Sequence, residues 1–411
     1  MDILVFGTGN YYEQYKYLLA NDTIIGFIDN DKDKQGVVFE NEAIVMPPSS
    51  VNNVKYDRIY LASYHMNEMF SQLVDMGVPG SKIFDIRDAL NLNNEIERYK
   101  NSTQNRVYVF CPFAITGGPE ALHQLADSIY RNVTKEVFIV YHGSGNKNTK
   151  RLYEKYQNGG IICENDVIDD EMSYVIIPEI ELDYINRFKK AKIFYWWLSV
   201  DNFFHHRTQH MSDSAYLLNR VSVHMCQSQY ARDFLVSCGI SKHKILDVSD
   251  YTTIEIDNIG TNRERENIVI YNPTKGAFAT YDVIKQMDDD NIRFVPIINL
   301  TSKQVNELMR KAKVYLDLGR HPGKDRMPRE AALNGCCIIT GNRGSAYNDY
   351  DIMIPLKYKI NQEVTDCLEI IALVKDCVYN YESLVEDFQT YRNKIMHEKE
   401  LFDEQVMMAF G

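Results

Sequence analysis

The sequence predicts an α/β protein built on parallel sheets, and three observations predict it. Short apolar runs recur along the 411 residues, and a Gly-containing turn and then a helical pattern follow many of them. That rhythm marks βαβ units, whose crossover helices cover the faces of a parallel sheet. With 45% hydrophobic and 25% charged residues the composition is that of an ordinary globular protein, and the length allows two or three domains.

The first block opens with a strand at Ile3–Phe6, turns at Gly7-Thr8-Gly9 and runs as a helix to Leu19. Strand Thr23–Ile28 then ends at Asp29, and further strands are expected at Arg58–Ala62 and Lys82–Phe84. The polar stretch Arg87–Arg106 reads as a helix plus linker, with a boundary near residue 100. A second block carries strands at Val107–Cys111, Val137–Tyr141, Tyr174–Ile177, Lys192–Trp196 and Val221–Gln227. After the charged turn Gly260–Glu266, a third block is expected to hold strands Ile268–Tyr271, Arg293–Ile297, Val314–Leu318 and Cys337–Thr340. Helices at Ser302–Lys311 and Arg329–Asn334 separate them, and the last fifty residues read as helical. The expected domains are therefore 1–100, 101–260 and 261–411.

Charge narrows the function. The 45 Lys+Arg against 57 Asp+Glu leave a net charge of −12, a field that repels polyanions and argues against nucleic acid as a partner. The N-terminus carries no basic signal-peptide region, and no run approaches the roughly 18 apolar residues of a membrane span, so a cytoplasmic chain is expected. Eight cysteines without a C-x-x-C pair read as reduced and structural. His205, His206 and His210 lack supporting Cys or carboxylate ligands and read as a loop, so no metal site is expected.

The stretch Leu318–Gly335 is where chemistry concentrates. Arg320, Lys324, Arg326 and Arg329, with His321, crowd between a strand and a helix in an otherwise acidic chain. Cations at a helix N-terminus suit a phosphate or diphosphate, and Gly319 and Gly323 permit close backbone approach. Glu330 suits either helix capping or hydrogen bonds from sugar or ribose hydroxyls.

This segment resembles the nucleotide-sugar half of GT-B glycosyltransferases, whose P-x-E-A-x-x-x-G helix is matched by Pro328-Arg329-Glu330-Ala331-Ala332-Leu333-Asn334-Gly335. The family's Glu-x7-Glu pattern is half present, because its first position falls on Pro322. Ile268–Gly276 is similar to the first strand and loop of the donor lobe, with Lys275 at a phosphate-reaching position. Cys111–Glu120 is similar to the Gly-Gly loop of the acceptor lobe, with Gly117 and Gly118 opening a helix. The resemblance implies a GT-B fold of two facing Rossmann-like lobes behind a small Rossmann-like βαβ domain. It implies a bacterial hexosyl-type transferase, of EC class 2.4, that moves a sugar from a nucleoside-diphosphate donor to a glycan or lipid-linked glycan in capsule, O-antigen or related synthesis. No cofactor beyond the donor is implied. Peripheral association with the inner face of the plasma membrane, membership of a biosynthetic complex and homo-oligomerisation stay open.

An inverting transfer needs a base for the acceptor hydroxyl. Asp201 follows Trp196 and Trp197, which could stack on a sugar, and it is the first choice, ahead of Glu120 and His142. In the first block, Gly7, Gly9 and Asp29 resemble a dinucleotide fingerprint whose third glycine is replaced by Tyr12. Gly26-Phe-Ile-Asp-Asn-Asp31 resembles small modules that accompany sugar-modifying enzymes of bacterial polysaccharide pathways. The competing readings are an NAD(P)-dependent sugar-nucleotide oxidoreductase or epimerase, and a non-catalytic nucleotide-sugar binding subunit.

Overall fold

The computed structural model describes residues 1–20, 22–40, 43–89, 105–143, 153–205, 217–252 and 264–411. Most of the linker expected at 87–106 and of the turn expected at 260–266 lies outside those residues, as do His206 and His210. Two compact units emerge. One comprises Met1–Tyr195 with Arg220–Ser222 and Phe410–Gly411, and the other Trp196–Asn219 with Val223–Ala409.

The first unit begins with a five-stranded sheet in the order β3-β2-β1-β4-β5, formed by β1 (Asp2–Phe6), β2 (Thr23–Ile28), β3 (Val45–Met46), β4 (Arg58–Leu61) and β5 (Ile83–Asp85). Every pairing is parallel. Strand β1 shows why its sequence is apolar throughout. Ile3 and Val5 belong to one buried cluster and Leu4 and Phe6 to another, so both faces of the sheet are covered. The expected helix to Leu19 forms as α1 (Asn10–Tyr15) with a tighter turn over Lys16–Leu19, and α2 (Met66–Asp75) follows β4.

The second sheet of this unit centres on β6 (Arg106–Pro112). It is flanked by β7 (Val137–His142), which pairs with β8 (Ile161–Ile162), and by β9 (Ser173–Pro178), beyond which lies β10 (Lys192–Trp197). Helix α3 (Gly117–Asn132) packs on β6 and β7. The N-terminal sheet is fastened to this second sheet by a buried cation. Arg58 is fully buried, donates to the Tyr60 hydroxyl at 3.2 Å, pairs with Asp166 and lies 5.2 Å over the Phe84 ring. Cys163, at the end of β8, joins the N-terminal module's own apolar cluster.

The second unit holds the parallel pair β11 (Val223–Cys226) and β12 (Ile245–Asp247), with α4 (Val200–His205) and α5 (Gln229–Ser237). Its five-stranded parallel sheet runs β14-β13-β15-β16-β17, from β13 (Glu266–Tyr271), β14 (Arg293–Pro296), β15 (Ala312–Asp317), β16 (Cys337–Gly341) and β17 (Lys359–Ile360). Around it lie α6 (Ala277–Gln286), α7 (Ser302–Lys311), α8 (Arg326–Leu333) and α9 (Cys367–Tyr379). The chain then continues through α10 (Tyr381–Leu384), α11 (Gln389–Met396) and α12 (Glu398–Phe410).

The longer expected strands all form within a residue or two of the expected bounds, while β3, β8, β12 and β17, two or three residues each, were not expected. Such strands are too short to show a period. Helix α8 starts three residues before the expected Arg329. All eight cysteines are free, and among the described residues no helix is long and apolar enough to cross a membrane.

Candidate functional site

In an open α/β sheet ligands gather at the carboxyl ends of the strands. In the second unit that edge is built by the loops after β13, β15 and β16. The loop after β15 runs from Leu318 to Asp325 and carries Arg320, His321 and Lys324 of the expected cation crowd, while Arg326 and Arg329 lie in α8. The structure sorts those cations by burial, and the sorting corrects the expectation of one cluster facing a ligand. Arg329 is 0% exposed. Its guanidinium donates to Asp250 Oδ2 and Glu398 Oε2, both at 2.8 Å, to the Lys324 carbonyl at 2.9 Å and to the Asp325 carbonyl at 3.2 Å. Lys324 is buried beside it, with Nζ 2.6 Å from Ser249 Oγ and 2.8 Å from Glu398 Oε1. Burial alone would push the Asp250 carboxyl up, but Arg329 and Lys324 outweigh it and hold its pKa below the ordinary carboxylate range. Lys324 and Arg329 therefore fasten the loop to α12 from inside.

Arg320 does the opposite. Its side chain is 60% exposed, with Nε 2.5 Å from Asp201 Oδ2 and a terminal nitrogen donating to Asp201 Oδ1 at 3.1 Å and to the Tyr230 hydroxyl at 2.9 Å. Tyr230 donates in turn to Asp201 at 2.9 Å. Thus Asp201, expected as a base, stands beside a residue expected to bind the donor. Its near-total burial and this pairing make it an orienter of Arg320. The two tryptophans before it are not stacking platforms. Both are fully buried, with indole N–H groups donating to the Val248 carbonyl at 2.9 Å and to His224 Nδ1 at 3.1 Å.

Arg320 lines a cavity of about 630 Å³ with Tyr230, Arg343, Gly344, Tyr347 and Glu363. The loop after β16 supplies Arg343, 3.6 Å from Glu363, and Tyr347, which is 74% exposed. Gly344 has φ +65°, and a Cβ there would lie 2.0 Å from the His321 carbonyl oxygen, so only glycine lets the two loops meet. Sequence reasoning missed Arg343, Tyr347 and Glu363. The signal was present in Gly341-Asn-Arg-Gly344, a second glycine-flanked cation after a strand.

The remaining candidates of this unit lie close by. Lys275, after β13, pairs with Asp325 Oδ2 at 2.5 Å, and a Cβ on Gly319 would meet Lys275 at 2.6 Å. Arg326 lies 3.3 Å from Glu330, in the second turn of α8, so Glu330 is a helix-face partner and not a cap. Asp317, His321 and Asp325 bring ligand atoms within 4.8 Å of one another and could hold a metal ion. Their carboxylates are already met by donors, Tyr315 and the Gly319 amide on Asp317 and His321 Nδ1 and Lys275 on Asp325, so an ion would have to displace hydrogen bonds.

In the first unit, Gly117 and Gly118 open α3 as expected from the sequence. Glu120, in its first turn, accepts from the Tyr156 hydroxyl at 2.8 Å and from Lys155 at 3.1 Å. His142 ends β7 almost fully buried, its Nδ1 3.4 Å from Glu181 Oε1 and its Nε2 without a hydrogen-bond partner among the described residues. Desolvation, aided by Arg187, lowers its pKa to about 4. Desolvation, with Glu164 and Asp183 nearby, raises that of Glu181 to about 7. The contact therefore joins a neutral imidazole to a carboxyl group that titrates at neutral pH. Glu181, 28% exposed, sits at a kink with φ −118° and ψ 41° inside the turn Glu179–Arg187. Of the causes, only Asp183 is a sequence neighbour; burial, the largest of them, has no signature in the local sequence.

In the N-terminal module, Asp29 accepts from the Thr8 amide at 3.0 Å, the Thr8 hydroxyl at 2.5 Å and the Asp31 amide at 3.0 Å. Tyr12 is buried beneath the sheet end and donates to Glu40 at 2.7 Å. The ring occupies the helix–sheet seam, where the third glycine of a dinucleotide fingerprint would give close helix–strand packing.

Solved structures share this architecture. The chain is similar to Anabaena Alr3699/HepE, solved in complex with UDP-glucose, at 12% identity over 74% of this chain and 98% of that one, with a TM-score of 0.57. It is similar to a glycosyltransferase from Rickettsia africae at 12% identity, with coverages of 75% and 95% and a TM-score of 0.50. The fold is GT-B. The N-terminal domain of trehalose-6-phosphate phosphatase from Candida albicans is also similar, at 9% identity, with coverages of 75% and 96% and a TM-score of 0.52. A GT-B fold at such identities leaves the chemistry to be argued from side chains. Residues 1–84 match the family model described as C2185-like, N-terminal. No curated protein matches the sequence.

Proposed function

We propose that the chain is a glycosyltransferase that moves a sugar from a nucleoside-diphosphate donor to a glycan or lipid-linked glycan acceptor in surface-polysaccharide synthesis. The carrying observation is the cavity in which Arg320 and Arg343, from loops after two adjacent strands, face the same space as Tyr347 and Glu363. Departure of a nucleoside diphosphate needs positive charge on its oxygens, and two guanidiniums supply it with bidentate geometry. Tyr347 is suited to stacking on a base or sugar, and Glu363 to accepting hydroxyl hydrogen bonds. Asp201 and Tyr230 hold Arg320 in one orientation, at little cost in mobility on binding. UDP is the first donor base to test, because the similar Anabaena protein was solved with UDP-glucose.

Of the donor-site candidates, Arg320, Arg326 and Lys275 are read as ligand-facing, with Lys324 and Arg329 as positioning residues behind them. Gly117 and Gly118 keep their expected role in the acceptor lobe. If transfer inverts, Glu181, with His142 beside it, is a better proton acceptor than Asp201 or Glu120, because burial brings its pKa to about 7. The reading takes domains 1–100, 101–260 and 261–411 as accessory, acceptor and donor parts, working without a metal. Titration calorimetry with UDP, GDP, CDP and dTDP tests it. One should bind, and Arg320→Ala and Arg343→Ala should each weaken that binding about 10–100-fold, the loss of a charged hydrogen bond of roughly 1.5–3 kcal/mol. Absence of binding by the wild type to all four overturns the proposal.

A further inference from the structure

We infer that the N-terminal module carries a second small-molecule site, separate from the donor cavity, and that its ligand is a single nucleoside phosphate. The position is the first argument. In the order β3-β2-β1-β4-β5, the chain leaves β1 to one side for β2 and later enters β4 on the other, so a crevice opens beyond the carboxyl ends of β1 and β4. Such switch points are where open parallel sheets bind ligands. A cavity of about 480 Å³ lies there, walled by residues of the loops after β1, β2 and β4, among them Gly9, Asp29, Lys34, Tyr64 and His65. That volume is at the lower end of the roughly 300–1,000 Å³ of small-ligand sites.

The walls are already set in place. Gly7 has φ +111°, and a Cβ on it would lie 2.4 Å from the Ala62 carbonyl oxygen, which brings the loops after β1 and β4 into contact. The hydrogen bonds from Thr8 and Asp31 latch Asp29 across the end of the first loop. A Cβ on Gly9, by contrast, would meet nothing within 4 Å, so this residue borders open space.

The lining chemistry names the ligand class. Tyr64, 77% exposed, stands at the cavity wall, propped edge-on by Tyr11 at 4.8 Å, which is the arrangement of a platform for a flat ring. Lys34 brings an ammonium group 3.4 Å from Asp29, whose Oδ1 carries one described hydrogen bond and can accept another from a ribose hydroxyl. Base, ribose and phosphate each find a partner. A dinucleotide does not, because Tyr12 stands where the fingerprint's third glycine would pack the helix close to the strand, and the cavity is small. The inference stands on first-unit residues alone and does not depend on the transferase reading.

Full-length protein titrated calorimetrically with AMP, GMP, UMP and CMP tests it. At least one should bind at sub-millimolar concentration, and the binding should persist in Arg320→Ala, which disables the donor cavity of the other unit. Gly9→Val puts two methyl groups into open space at an allowed φ of −96° and should weaken binding at least tenfold, while the poorer N-cap it gives α1 lowers Tm by no more than about 4 °C. Tyr64→Ala, an exposed change that leaves folding intact, should weaken it about 5–150-fold, the range expected for a lost stacking partner. If no monophosphate binds, or if binding survives both Gly9→Val and Tyr64→Ala, the inference is overturned.

Discussion

Replacing Arg329 by Met should unfold the protein more readily while Arg320→Ala should not, although both arginines belong to one ten-residue stretch. Arg329 is fully buried, and its partners Asp250 and Glu398 are almost equally so. Removing the guanidinium takes away the hydrogen-bonded cation of Asp250 and leaves it the charges of Lys324 and Arg326, while Glu398 keeps its Lys324 contact at 2.8 Å. Breaking a buried pair from one side typically costs about 3–5 kcal/mol, because the remaining charge has lost its water and its partner. For a unit of roughly 200 residues each kcal/mol moves Tm by about 2–4 °C, so a fall of roughly 6–20 °C is expected. Arg320, 60% exposed, forms a surface pair worth about 0–1 kcal/mol, and its loss should move Tm by no more than about 4 °C. Differential scanning calorimetry of both variants, beside nucleoside-diphosphate titrations, separates the roles. An Arg329→Met protein with unchanged Tm but no nucleotide binding would show that this arginine serves the ligand and that the burial argument is wrong.

Three further outcomes follow from the same physics. His123, His142 and His224 are buried, and desolvation lowers each pKa to about 4, from an unfolded value near 6.5. The native state then binds fewer protons than the unfolded chain between pH 6.5 and 4, so stability should be complete above that window and fall through it on acidification, by up to roughly 3 kcal/mol per histidine. His123→Gln should flatten the measured slope of Tm against pH, and an unchanged slope counts against it. Glu181 has the opposite sign, since its raised pKa favours the fold below pH 4.5 and the benefit fades as pH rises through about 7. If Glu181 is the base, turnover should climb as pH passes about 7 and Glu181→Gln should abolish that limb. A limb that persists in the variant assigns it to another group. Arg58→Met should cost about 3–5 kcal/mol by breaking the buried pair with Asp166 from one side, and a melting temperature within 2 °C of wild type on calorimetry refutes the structural role of that pair.

What the sequence revealed and what it hid divide along physical lines. Strands such as Thr23–Ile28 and helices such as Ser302–Lys311 were legible to the residue, because each is specified by its own period and caps; Thr301 and Gln304 even form a complete capping box. The cationic loop was equally legible as a concentration of charge. Which side of the loop each cation occupies was not, since that depends on Asp250 and Glu398, 79 and 69 residues from Arg329. Trp196 and Trp197 were misread for the same reason. Their indole partners, Val248 and His224, lie 52 and 27 residues away, and only those partners reveal that the rings belong to the core. Glu181 is the extreme case, since desolvation has no local sequence signature.

The two buried arginines have a common logic. Arg58 couples the N-terminal sheet to Asp166 after β8, and Arg329 couples the loop after β15 to α12. Each bridges segments far apart in sequence that apolar packing alone could join in several registers. A buried ion pair gains little net stability over an apolar contact, because desolvation consumes most of the Coulomb term. It does penalise every misaligned arrangement heavily, for there a charge would be buried alone. The Arg58 pair fixes the N-terminal module on the sheet that carries His142, and the Arg329 network fixes the loop that presents Arg320. Both therefore act on candidate site residues by setting their position, which is why their loss should be felt as instability before it is felt as altered affinity.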